Sequence, residues 1–200
     1  MKKLLILTLL LVSYNSAQTQ TTSWKIDPVH SSIAFSVDYM VLTEVTGNFR
    51  EFSGTLQQDD ENFSGRKVDV TIKTTSISTE NEKRDGHLRS ADFFDAQKYP
   101  EITFVSKSFE KKSANEYQIT GELTMHGISN PMVISAKYMG QAKDPWGNIR
   151  QGFKGTATIN RTDFGIEYNS TLETGGLLIG KDVAIKLNMQ FIKQQNNGTN

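Results

Sequence analysis

From Val183 to Phe191 the chain reads Val-Ala-Ile-Lys-Leu-Asn-Met-Gln-Phe, with a bulky apolar side chain at every odd position. A period of two marks a strand with two unlike faces, because successive side chains point to opposite sides of a sheet. The pattern recurs at Ile33, Phe35, Val37 and Tyr39, at Val68, Val70 and Ile72, and at Tyr117, Ile119, Leu123 and Met125. It returns at Met132, Ile134, Ala136 and Tyr138, and then, with glycines interspersed, at Ile149, Phe153, Ala157 and Ile159. Together with PEITFVSKSFE, these segments predict eight strands near 31–39, 45–57, 66–77, 100–110, 115–125, 131–141, 148–162 and 181–193. Between Phe49 and Phe52 the apolar phase slips by one residue, which predicts a β-bulge and a bent second strand. Eight sequential antiparallel strands close most simply into an up-and-down barrel, since closure removes the unpaired edges of an open sheet. The predicted fold is therefore all-β, an eight-stranded antiparallel barrel. At that strand number the interior either fills with side chains or holds one small ligand.

Two connections interrupt the meander, 78–99 and 163–180. In the first, Thr79 and Glu82 have capping-box spacing, and Leu88, Ala91 and Phe94 recur at helical intervals, so a short helix is expected between strands three and four. The second, DFGIEYNSTLETGGLLIGK, lacks periodicity and reads as a long ordered loop beside a barrel mouth. The closing QQNNGTN is polar and is expected to fray.

The chain opens MKKLLILTLLLV, two lysines followed by an apolar run from Leu4 to Val12. That run is too short for a membrane span, which needs about 20 apolar residues. With small residues at Ser16 and Ala17, the expectation is a cleaved secretory signal over 1–17 and one domain over 18–200, in a periplasmic or secreted location. There is no cysteine, so neither a lipid-anchored cysteine nor a disulfide framework is available. Without Lys2 and Lys3 the remaining 20 basic and 22 acidic residues leave a net charge of −2, with no block of like charge that would bind nucleic acid.

Candidate chemistry is sparse. The three histidines, His30, His87 and His126, show no metal-motif spacing, so no metal or other cofactor is expected. No Gly-x-Ser-x-Gly elbow is present, and Ser31 and Ser32 beside His30 form a common juxtaposition. RDGHLRSADFF, residues 84–94, is dense in charge. One reading makes it part of a hydrolase or metal-dependent enzyme, with His30, His87, Asp85 and Asp92 at a barrel mouth. The other makes its charges the solvated face of the helix, with Arg84 and Arg89 pairing Asp85 and Asp92, while Phe93 and Phe94 turn inward. The second is favoured, and no catalytic residue is assigned. A barrel embedded in a membrane is a third architecture, because alternation does not say which face is apolar. Against it stand the lack of aromatic girdles, the charged helix and the polar end.

Alternation alone leaves a packed core and a ligand cavity equally open. Five longer motifs bear on that choice: WKIDPVHSSIAFSV, VTGNFREFSG, RDGHLRSADFFDAQKYPEITF, GELTMHG and INRTDFGI, which in this order span most of the chain beyond the signal. In them the chain resembles the YceI-like proteins, whose extended antiparallel barrel is lipocalin-like. The resemblance implies a secreted or periplasmic protein that holds a long amphiphile, typically a polyisoprenoid, in a tunnel through the barrel. It leaves room for a homodimer and for transient membrane contact during ligand exchange. Members often carry a histidine where Tyr39 stands here, which implies altered head-group contacts. On this basis Ile33, Phe35, Val37, Phe49, Phe104, Ile119, Leu123, Phe153 and Ile159 are expected to line the tunnel. Tyr39 is expected near the head group, and Phe93 and Phe94 are expected to close the tunnel.

Overall fold

The alternating rows close on themselves in the computed structural model, which describes residues 21–59, 66–172 and 177–195. The expected signal over 1–17 and the end of the polar tail lie outside the described residues. The strands are β1 (Thr22–Ile26), β2 (Ser32–Tyr39), β3 (Thr43–Phe49), β4 (Phe52–Gln58), β5 (Lys67–Lys73), the two-residue β6 (Ile77–Ser78), β7 (Glu101–Lys111), β8 (Glu116–Met125), β9 (Ile128–Lys143), β10 (Ile149–Asn160) and β11 (Ile179–Lys193). Every pairing is antiparallel, and the order β1-β4-β5-β7-β8-β9-β10-β11 returns to β1 through Trp24 opposite Lys193. The result is a closed eight-strand barrel.

More segments than eight arise because three barrel strands are broken, the third being β5 and β6, parted at 74–76 and paired with β4 and β3. β1 and β2 form one bent wall strand, interrupted at 27–31, and both pair with β11. The five residues around Trp24 are too few to show alternation. β3 and β4 form the next wall strand. In place of the expected bulge, the strand is interrupted at Arg50 and Glu51, whose backbones bond Ser76 in the β5–β6 connection and Lys73 at the end of β5 (Arg50 N to Ser76 O, 3.1 Å; Lys73 N to Glu51 O, 2.9 Å). Phe49 and Phe52 nevertheless both face the core, as the phase slip requires.

The apolar rows point inward. In β8, Tyr117, Ile119, Leu123 and Met125 are buried while Gln118, Thr120, Glu122 and Thr124 face outward. Gly121 shares the inward row because the Phe104 ring lies flat across it: a Cβ there would overlap the ring and come within 2.6 Å of the Val105 carbonyl oxygen.

The helix α1 (Glu82–Arg89) follows β6, with a cap that differs from the expected one. Asn81, not Thr79, is the N-cap, accepting from Arg84 N at 3.0 Å. Thr79 instead donates its backbone N–H (2.8 Å) and hydroxyl (2.5 Å) to the buried Asp85 carboxylate. The expected Arg–Asp pairs do not form. Arg84 bonds Thr79, Arg89 bonds the carbonyls of Thr75 and Ile77, and Asp92 takes His87. Ala91 and Phe94 lie beyond the helix, in a turn closed by Phe94 N to Leu88 O at 3.0 Å, and Ala91 is exposed.

One edge of the wall stays open. β3 bonds β2 along its length, but on its other side, among the described residues, only Asn48 and Phe49 find a strand partner, in β6. The β2–β3 turn is unusual as well. Met40 (φ 57°) and Val41 (φ 61°) are both left-handed, with Leu42 N bonded to Tyr39 O at 3.1 Å. That conformation suits Asn-Gly; for bulky residues it costs about 1–3 kcal/mol each, most clearly for the β-branched valine.

Where β1 bends into β2, a charge cluster fixes the corner. Asp27 accepts from the Val29 N–H (3.0 Å), from His30 Nδ1 (2.8 Å) and from Arg150, which also donates to Asp144 (2.7 Å). Burial alone would raise the Asp27 carboxyl, but its bonds to His30, Arg150 and Val29 hold it below the ordinary 3.8. Asp144 likewise is held at about 2, where bonds from Arg150, Asn148 and Trp146 overcome its desolvation. Depressed carboxylates stabilise the fold above about pH 4 and lose that contribution as pH falls toward 2. Thermal unfolding between pH 5 and 2 is therefore expected to show a falling midpoint, with a shallower fall in Asp27→Asn and Asp144→Asn; identical slopes would reject this assignment. Gly121→Val, which drives a side chain into the Phe104 ring, is expected to cost about 1–3 kcal/mol in urea unfolding.

Candidate functional site: an apolar cavity with a polar mouth

The barrel is not filled by its own side chains. Inside it lies a cavity of about 800 Å³, toward the upper end of small-molecule sites, which run to about 1,000 Å³. Its wall includes all twelve residues singled out from the sequence: Ile33, Phe35, Val37, Tyr39, Phe49, Phe93, Phe94, Phe104, Ile119, Leu123, Phe153 and Ile159. They come from β2, β3, β7, β8, β10 and the turn after α1, brought together because every inward row of a closed barrel faces the same axis.

Pairs of rings fix parts of this wall. Phe35 and Phe49 lie 5.9 Å apart, Phe49 meets Phe94 edge-on at 6.0 Å, and Phe153 packs against Tyr138 at 5.2 Å and Phe191 at 5.9 Å. At one end the barrel is sealed. Trp24, Tyr117 and Gln151 are buried there without lining the cavity. The Arg66 guanidinium stacks 5.4 Å from the Phe153 ring and 5.8 Å from Tyr138.

The opposite end is the mouth, marked by exposed wall residues Tyr39, Thr43, Glu44, Arg84 and Tyr168. It lies beside the open edge of β3 and under α1. His87, Phe93 and Tyr168 form a three-ring cluster with centroids 4.8–4.9 Å apart, and His87 Nε2 lies 2.9 Å from Asp92. Phe93 is thus buried beneath the mouth, and Phe94 continues the wall onto Phe49. Behind them Arg161, also on the wall, is buried and donates to the carbonyls of Gly180 (2.8 Å), Ile166 (2.7 Å) and Ile179 (3.4 Å), tying Ile166 to the start of β11. Desolvation pushes this guanidinium below its ordinary value.

Several wall residues were missed from sequence. Ile185, Leu187 and Met189 belong to the inward row of β11, and the alternation that identified the strand was signal enough to include them. Arg84, Tyr168 and Arg161 carried no such signal, for they sit on a helix and on aperiodic chain.

The four residues of the enzyme reading do not converge. His30 sits exposed at the β1–β2 corner with Asp27, Asp85 is buried against Thr79, and Asp92 is exposed. Of the four only His87 lines the cavity. Among the described residues, no group of three or more His, Asp or Glu side chains is placed to hold a metal ion. Likewise, no helix among them is long and apolar enough to cross a membrane.

Comparison with known proteins agrees with this architecture. The chain is 40% identical over 168 residues to protein YceI of Escherichia coli O157:H7, covering 83% of this chain and 87% of that protein. The crystal structure of the Campylobacter jejuni YCEI protein superposes with a TM-score of 0.68 at 33% identity, over 79% of this chain and 90% of that one. A polyisoprenoid binding domain from Saccharophagus degradans shares the fold at 14% identity, with a TM-score of 0.62 over 86% of this chain and 98% of that one. The model of the YceI-like domain matches residues 24–191, from the Trp24 that closes the barrel floor to the Phe191 that packs above it, and the chain belongs to that family.

Proposed function

We propose that this protein is a carrier or storage protein for a long amphiphilic lipid, most readily a polyisoprenoid, and that it acts in the periplasm or outside the cell after loss of residues 1–17. The observation that carries the reading is a cavity of about 800 Å³ walled mainly by Phe, Ile, Leu, Val and Met, with Tyr39, Thr43, Glu44, Arg84, His87 and Tyr168 gathered at its mouth. Protein interiors seldom leave voids larger than a water molecule, so a lumen of this size and polarity suits an apolar occupant. The S. degradans domain of the same fold, a polyisoprenoid binding domain, supports the class of ligand.

Affinity in this reading comes from burial. Each CH₂ removed from water contributes about 0.8 kcal/mol, so a chain of several isoprene units needs no covalent or charged anchor. Cavity length sets the accepted chain length. Tyr39, Arg84, His87 and Tyr168 at the mouth face the head group, and no catalytic residue is assigned.

Mass spectrometry of lipids extracted from protein purified from its own cells tests this directly, and an isoprenoid-chain lipid in near-stoichiometric amount is expected. Phe104→Asp or Phe153→Asp puts a carboxylate in the lumen and is expected to abolish co-purified lipid. Leu123→Trp, which narrows the lumen without adding charge, is expected to shorten the bound chain. Protein that carries no amphiphile, even when offered one, would overturn the reading.

A further inference from the structure

The tip of the β2–β3 hairpin is apolar where a turn is ordinarily polar. Val41 and Leu42 are each 78% exposed, and Tyr39 and Met40 also reach solvent. Met40 and Val41 occupy left-handed positions that favour glycine and asparagine. The fold thus holds two apolar residues in an unfavourable conformation, with the valine almost fully in water. Strain of this kind concentrates at functional positions.

The location gives the tip its meaning. Tyr39 and Thr43, on either side of it, are wall residues of the cavity mouth, and the Met40 N–H bonds at 2.8 Å to the carbonyl of Leu178, another wall residue. The apolar tip therefore adjoins the rim of the apolar lumen at the open edge of β3. We propose that this hairpin tip inserts into the surface of a lipid bilayer, seating the mouth on the membrane so that cargo passes without crossing water. The inference rests on the carrier reading above and adds the surface through which exchange occurs.

Size and charge select a bilayer as the occupant. A specific protein interface engages roughly 20–30 residues a side, far more than the few at this tip, whereas shallow insertion into lipid requires only a small apolar projection. Immediately behind the tip, Asp38 and Glu44 are cross-strand partners, both exposed, and neither has a cation within ion-pair distance among the described residues. They limit the depth of insertion and disfavour anionic lipid. Contact is thus apolar, strongest with neutral bilayers and insensitive to salt.

The absence of cysteine permits a clean test. Val41→Cys, and as a control Ser113→Cys in the β7–β8 turn at the sealed end, are labelled with an environment-sensitive nitrobenzoxadiazole dye and mixed with phosphatidylcholine vesicles. Dye at 41 is expected to brighten, shift to the blue and be quenched by nitroxide-bearing lipid, while dye at 113 stays unchanged. Vesicles containing phosphatidylglycerol are expected to bind more weakly. The double variant Met40→Asn, Val41→Gly relieves the turn, so its thermal midpoint is expected to hold or rise. Its vesicle affinity is expected to fall by about tenfold or more as two apolar side chains are lost. It is also expected to slow transfer of a preloaded fluorescent prenyl alcohol to vesicles with equilibrium loading unchanged.

Loading is read separately from docking, so failure to load prenyl alcohol counts against the carrier reading alone. Docking is overturned if dye at 41 does not respond to vesicles, if dye at 113 responds instead, or if transfer by the double variant is as fast as by the original protein. It is overturned too if dye at 41 becomes buried with rising protein concentration in the absence of lipid, which would mean that a second copy covers the tip.

Discussion

β11 runs fifteen residues along the barrel, bonded to β10 on one edge and, on the other, first to β2 and then to β1. Everything else depends on that seam. Backbone N–H and C=O groups in a sheet must find partners, and a meander that failed to return to its first strand would leave two long edges unpaired. The chain closes only because β1 and β2 change direction at 27–31, where the ladder is bridged by substitutes. Asp27 N bonds Gln190 O at 2.9 Å, and the Ser31 hydroxyl accepts from Gln190 N at 2.9 Å. The Asp27–Arg150–Asp144 cluster then holds the bend from outside the lumen.

Closure also dictates an incomplete interior. Side chains from all eight wall strands point at one axis, yet the aromatic rings lie along the wall instead of filling the centre. Gly121 lets Phe104 lie flat, and Gly47, where an added Cβ would overlap the Phe35 ring, does the same on β3. The space so preserved is sealed below by Trp24 and Gln151 and left open above, where β3 lacks a second partner. The opening is thus a consequence of topology. β6 is only two residues long, and α1 occupies the place where a longer strand would have completed the wall.

The charged stretch 84–94 acquires its role from this gap. Its aspartates and arginines are spent on local bonds: Asp85 on Thr79, Arg89 on the carbonyls of Thr75 and Ile77, Asp92 on His87. These bonds staple α1 over the mouth. The rings that follow, Phe93 and Phe94, extend the apolar wall onto Tyr168 and Phe49. A segment that looks like a reactive centre in one dimension is a hydrogen-bonded cover in three.

Wherever a strand was long enough to repeat, its inward row could be read directly. Ile119, Leu123, Phe153 and Ile159 follow from period two, because alternation is a local property of extended backbone. Short or aperiodic pieces were not legible in this way. The five residues of β1 carry too few repeats, the break at Arg50–Glu51 looks like a bulge until its partners are known, and Thr79 matches a capping spacing although Asn81 holds the cap. Nor does local pattern distinguish the packed barrel from the hollow one. The sequence by itself determined which side chains share the inward row of each long strand. Only the tertiary structure decided that side chains leave the lumen unfilled, where it opens, and that Arg84, Tyr168 and Arg161 join its wall, since those depend on contacts between segments far apart in the chain.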